Sequence, residues 1–156
     1  MMSLANKLRF TRHLLFFAAL LCGAGVSARA LSATRQAAVE KICRAHRLDC
    51  NELRQAIESV TETGRLPEKW ITKKQAKKLG WSPGVKLGEI APGKSIGGDR
   101  FGNRERRLPV EKGRIYFEAD LNYRGGKRGA NRMIYSSDRL IYVTVDHYKT
   151  FESIPQ

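Results

Sequence analysis

A chain of 156 residues with a formal net charge of +14 has room for one domain with a modest core, and one domain is the default. The cationic surplus favours a polyanionic partner without choosing among nucleic acid, anionic lipid and acidic protein.

At the start of the chain, Lys7, Arg9 and Arg12 precede an apolar run from Leu14 to Val26, and Ala28-Arg29-Ala30 follows with small residues suited to cleavage. This is the layout of a secretory signal peptide over residues 1–30, and it predicts a secreted or periplasmic protein. The run is too short for a comfortable membrane span. Leu21, before Cys22, is too large for the usual lipoprotein pattern. Cleavage removes Lys7, Arg9, Arg12 and Arg29 and no acid, so the mature chain keeps a charge of +10 and needs no lasting contact with the membrane.

Residues 33–47 carry Ala37, Ile42 and Cys43 on a helical period, and Leu53, Ala56, Ile57 and Val60 repeat it further on. In an oxidising compartment Cys43 and Cys50 are expected to pair. Seven residues of continuous helix would hold their Cα atoms about 10.5 Å apart, beyond the roughly 7 Å that a disulfide spans, so the helix must break between them. Asp49, with Glu52 three residues on, supplies an N-cap for the second helix, which stops near Thr63-Gly64. A metal site built from Cys43, His46 and Cys50 lacks the fourth ligand that structural zinc normally takes.

Thr72-Lys73-Lys74-Gln75 reads as a capping box opening a short third helix that closes at Gly80. Lys73 falls in its first turn, where the macrodipole disfavours a cation. Backbone amides and an ammonium at one helix start form an anion site, and Asp99 is the expected carboxylate partner of Lys73. Residues 82–113, rich in Gly and Pro, read as ordered loop with short strands.

From Arg114 the pattern alternates: Ile115, Phe117, Ala119 and Leu121 on one side, Arg114, Tyr116, Glu118 and Asp120 on the other. This predicts a half-buried strand presenting Glu118 to solvent or substrate. Arg132 to Tyr135 and Leu140 to Val145 give two more strands, joined through the Gly125-Gly126 loop and the turn Ser136-Ser137-Asp138. Short connections favour an antiparallel sheet, and helices followed by strands make the fold α+β. The domain plan is a signal over 1–30, a helical extension over 31–50 and a main domain over 51–156.

Glu118, Arg128, Arg132 and His147 then stand out: a carboxylate, two guanidinium groups that grip phosphate oxygens in pairs, and an imidazole that trades a proton near neutral pH. Together they offer a base, an acid and a phosphate clamp.

The words around these residues resemble one family. Ile71-Thr72-Lys73, Leu79-Gly80-Trp81, the run APGKSIGGD over 91–99, Phe101 with Asn103-Arg104-Glu105, EADLNY over 118–123, and residues 131–151 are similar to the barnase family of bacterial guanyl-specific ribonucleases. The resemblance runs in register over 66–153. It implies a monomeric endoribonuclease on single-stranded RNA, with Glu118 as general base, His147 as general acid, and Lys73, Arg128 and Arg132 stabilising the phosphorane. It further implies a 2',3'-cyclic phosphate product, later hydrolysed, and no metal or cofactor.

Tyr148 matches a residue touching the base or ribose. Phe101, Asn103, Arg104 and Glu105 match a guanine-binding loop, in which a carboxylate accepts from N1 and N2 while backbone amides donate to O6. An acidic, barstar-like inhibitor is the protein partner the family implies. Against the family pattern, Gly102 replaces a serine, Lys127 an aromatic residue and Asn131 an acid. Residues 31–50 have no counterpart there. A non-catalytic cationic protein that coats nucleic acid or membranes on the same scaffold is the alternative reading.

Overall fold

The structure, a computed structural model, describes residues 21–156, with side chains from residue 32 onward. Most of the expected export signal therefore lies outside the described residues. Two helices, α1 (Leu21–His46) and α2 (Cys50–Thr63), come first; the predicted start of α1 at residue 33 is superseded by a helix already formed at Leu21. Among the described residues no helix is long and apolar enough to cross a membrane.

The predicted break between the cysteines is present. Leu48 N–H closes onto the Cys43 carbonyl at 3.0 Å, and Asp49 caps α2 by accepting from Asn51 and Glu52 N–H. Glu52 does not complete a capping box. Buried beside the cap, its carboxylate accepts the Asn122 N–H at 2.6 Å and pairs with Lys69. Gly64 ends α2 at φ 73°, its N–H on the Val60 carbonyl.

Strand β1 (Trp70–Ile71) leads into α3 (Lys73–Lys78), α4 (Leu87–Ile90) and β2 (Ser95–Phe101), followed by β3 (Tyr116–Asp120), β4 (Arg132–Ser136), β5 (Ile141–Thr144) and β6 (Glu152–Ile154). The strands form one sheet in sequence order, antiparallel except for β1 against β2. That parallel pair has the longest connection in the sheet, and it contains both short helices, as a crossover requires. Thr72 makes the predicted capping box with Gln75.

Between Gly97 and Asp99 the β2–β3 register shifts. Gly98 sits at φ 87°, and a Cβ on Gly97 would lie 2.6 Å from the Trp70 ring, so both glycines are required: one by the backbone, one by the indole above it.

Alternation along β3, β4 and β5 sends Ala119, Met133, Tyr135, Ile141 and Val143 to one face. There they pack against Leu53, Ala56, Ile57 and Val60 of α2 and Val39, Ile42 and Cys43 of α1. The residues expected as a mere extension thus contribute side chains to the main core, each worth roughly 1.5–3 kcal/mol when fully buried. Arg35 donates to the Pro155 carbonyl at 2.9 Å, and His46 pairs with Glu152, so α1 is also pinned to β6.

The other sheet face is covered too. Tyr116 and Ile134 are buried with Leu108, under Phe101, Tyr142, Tyr148 and Phe151. The half-exposed strand expected around Glu118 is thereby corrected: β3 is enclosed on both faces, because the 101–108 loop and the 144–151 segment close over its polar side.

A candidate active site over the second sheet face

Glu118 is 6% exposed. Its Oε1 accepts from Lys73 Nζ at 2.6 Å and its Oε2 from the Tyr148 hydroxyl at 2.6 Å. Burial pushes this carboxyl up, but the Lys73 ammonium, the Tyr148 hydroxyl and the Arg128 charge outweigh it, leaving the pKa below the ordinary glutamate value. Tyr148 shifts the opposite way, to about 12, through burial and its bond to the Glu118 carboxylate. Glu118 is therefore an anion at neutral pH.

Two expectations about Lys73 are corrected by these contacts. Asp99 accepts the backbone N–H of Lys73 at 2.8 Å, whereas the ammonium goes to Glu118. The start of α3 is also no open anion site, since Asp99 holds the Lys73 amide and Thr72 Oγ1 the Gln75 amide. The unfavourable placement of a cation in a first helical turn is offset by a buried carboxylate instead.

Two residues beyond Glu118 on the same face lies Asp120, 2% exposed and directly across from Arg132. Arg128 grips it with two hydrogen bonds of 2.6 Å, from Nε and Nη2. Arg132 Nε lies 2.9 Å from Asp120 Oδ1 but off the line of a hydrogen bond, while its Nη1 donates to the Gly129 and Asn131 carbonyls. The Tyr148 ring sits 6.0 Å from its guanidinium. Arg128 keeps an open edge toward the cleft; Arg132 is enclosed behind it.

His147 and Tyr148 both have left-handed backbones, at φ 57° and 68°. Asp146 holds them there. Its carboxylate accepts from the Thr144 hydroxyl, the Lys149 and Thr150 amides and the Thr150 hydroxyl, which is its closest partner at 2.6 Å. The Thr150 hydroxyl above all, with the amides, keeps this carboxyl well below the usual range. The Tyr148 amide is taken by Thr144. Sequence reasoning missed Asp146, although an Asp flanked by Thr at two residues before and four after is a loop-closing pattern.

Glu118, His147, Lys73, Arg128 and Tyr148 all line one cleft of about 900 Å³, and the 101–105 loop forms its far wall. Arg132 does not reach the lining. In that loop Phe101 stacks on Tyr148, with ring centroids 5.2 Å apart. Asn103, at φ 41°, spends its side chain on Leu108, donating to its carbonyl and accepting from its N–H. Among the described residues the N–H groups of Asn103 and Arg104 have no partner, which leaves them free to donate. Glu105 is already paired: Arg107 Nε donates to its Oε2 at 2.6 Å, which leaves Oε1 open. Arg107 also donates to the Lys149 carbonyl, tying this loop to the segment that carries His147. Arg100, Arg107 and Lys149 add to the charge of the cleft and were not singled out from sequence.

Cys43 and Cys50 lie elsewhere, where α1 and α2 meet. Both are free thiols in the structure, and burial, followed by the neighbouring Cys50, pushes the Cys43 thiol up to about 12. Among the described residues no group of three or more His, Cys, Asp and Glu side chains could hold a metal ion.

A family profile described as ribonuclease matches residues 54–155. Proteins named ribonuclease from Heyndrickxia coagulans, Bacillus intermedius and Bacillus pumilus are each 61% identical to this chain over 92 residues, or 58% of its length. The matched stretch covers 84% of the Heyndrickxia protein but only 56% of each Bacillus protein, so the chain spans about half the length of those two.

Proposed function

The chain belongs to the ribonuclease family, and we propose that it is an exported endoribonuclease that cuts single-stranded RNA after guanine by transesterification. The observation that carries this reading is the shared cleft, in which an ionised carboxylate and an imidazole face one volume between two cations.

In the first step Glu118 takes the proton from a ribose 2'-hydroxyl as that oxygen attacks the adjacent phosphorus. The bond from phosphorus to the 5'-oxygen breaks, and His147 gives the departing oxygen its proton. The product is a 2',3'-cyclic phosphate. Its hydrolysis runs the same pair in reverse, with His147 activating water and Glu118 returning a proton.

Lys73 and Arg128 supply fixed positive charge where the phosphorane gathers negative charge, and Arg132 acts through the field it adds from behind Asp120. DNA lacks the internal nucleophile and is not a substrate. Guanine would be read by the unpartnered amides of Asn103 and Arg104 on O6 and by the Glu105 carboxylate on N1 and N2. Phe101 and Tyr148 supply the aromatic wall.

We read residues 1–30 as an export signal. In the compartment it leads to, oxidation of Cys43 and Cys50 by a disulfide-bearing oxidant would form one sulfur–sulfur bond and reduce the oxidant to two thiols. Closing that eight-residue loop should add about 2–3 kcal/mol to stability, read as a rise in Tm accompanying a two-hydrogen loss in mass. Before export, a small acidic inhibitor of the barstar kind would fit the cationic cleft.

Mass analysis of the fragments from a mixed-sequence RNA tests the main proposal. Fragments ending in guanosine 2',3'-cyclic phosphate are expected. Uniform cleavage after all four bases would refute the guanine reading, and intact RNA would refute the enzyme reading.

A further inference from the structure

Next to the catalytic cleft lies a second depression of about 410 Å³, and Lys73 and Arg128 wall both. Its remaining cations are Lys77, at the end of α3, Lys86, before α4, and Lys127, in the Gly-rich loop before Arg128; no carboxylate lines it. All three lysines are exposed. Among the described residues Lys77 and Lys127 have no ion-pair partner. Lys86 has Glu89 at 3.2 Å, an exposed pair of the kind that contributes little.

The floor is built differently. Trp81, Leu87 and Tyr123 are buried in it. Trp81 spends its N–H on the Val85 carbonyl, while Tyr123 donates to the Gly126 carbonyl and accepts from Gly88 N–H. No aromatic donor or acceptor is left to read a base, whereas mobile ammonium groups stand along the rim. This arrangement suits repeated negative charge on a flexible strand. It continues without interruption from the residues that would hold the scissile phosphate.

We propose that this depression is a phosphate track for single-stranded RNA, in which Lys77, Lys86 and Lys127 hold backbone phosphates of the strand as it leaves the scissile linkage on the side away from the 101–105 loop. The proposal rests on the RNA-cleaving reading above and adds to it a sequence-independent extension. Lys127 is one of the positions where this chain departs from its family resemblance, so that cation of the track is an addition to the family pattern.

The test is the triple variant Lys77→Gln/Lys86→Gln/Lys127→Gln in the full mature chain, after its melting curve is shown to match the parent's. On a guanylyl dinucleotide its kcat/KM should equal the parent's. On a longer RNA with one guanine, kcat/KM should fall by about tenfold at low salt. Binding is followed by anisotropy with a 2'-O-methyl oligonucleotide, which cannot be cut, so the track is tested even if the parent cleaves nothing. The slope of log affinity against log salt should shrink by about 2, at roughly 0.7 per lost contact on a single strand. An unchanged slope overturns the track, as does an equal loss on dinucleotide and long RNA. Unaltered RNA binding with weakened capture of an acidic protein would assign the lysines to a protein partner and likewise overturn it.

Discussion

The central strands bury two faces that differ in kind. Against α1 and α2 they present Ala119, Met133, Tyr135, Ile141 and Val143, where fit and transfer from water set the energy. Toward the cleft, Glu118, Asp120, Arg132 and Thr144 are just as inaccessible. There the energy comes from each charge having a counter-charge within reach. The first face tolerates a lost methylene at a cost proportional to the void. The second tolerates no unpaired member, because a buried ion left alone faces its whole desolvation penalty. Fold and chemistry are thus carried by the same strands with residue parity deciding which is which.

The contrast breaks first at Glu118. Glu118→Ala should cut RNA cleavage by about 10²–10⁴-fold, the range assigned to a positioned base, while salt-dependent RNA binding stays near the parent's in an anisotropy titration. Unchanged cleavage would remove Glu118 from the mechanism.

Next comes Asp120→Asn, which preserves shape but strands two guanidinium groups. A loss of about 3–5 kcal/mol in denaturant unfolding is expected, together with reduced activity as Arg128 loses its anchor. On the opposite face, Ile42→Ala should cost about 2–5 kcal/mol and leave kcat/KM unaltered at temperatures where the variant is folded. If both variants lowered activity alike, the two faces would not be separable.

The smallest effect is in the pH profile. Because the Glu118 carboxyl is held below its ordinary value, the ionised form is favoured by folding. Its share of stability is complete above about 4.5 and is lost as pH falls through the lower folded value. The acid limb of kcat/KM should therefore lie below about 4.5. In Lys73→Gln the strongest opposing contact is gone and burial prevails, so the limb should move to higher pH. A limb that stays in place would show that Lys73 does not set the Glu118 charge state.

Much of this was legible in the chain. The capping box at Thr72, the cap at Asp49 that separates the cysteines, and the alternation along β3 to β5 are local signals, readable because each lies within a few residues of its partner. Strands β1 and β6, two and three residues long, have no such signal. They exist because Ser95 and Ile141 lie across from Trp70 and Ile154, contacts made far along the chain.

The candidate site was named residue by residue, but the cover over it and one partner were not foreseen. Polar residues on alternate positions of β3 read as facing solvent or substrate, and nothing local announces that two distant loops will bury them. Lys73 was matched with Asp99, although the register sets Asp99 directly beside Glu118 and leaves both carboxylates within reach of its backbone and side chain.

The pinning of α1 to the far end of the chain has a consequence for biosynthesis. Arg35 is held by Pro155 and His46 by Glu152, across separations of 120 and 106 residues. Those docking points, and the outer neighbour of β5, can form only once residues 152–155 have been made. Until then α1 can pack on α2 through Val39, Ile42 and Cys43 but lacks its ties to the sheet edge.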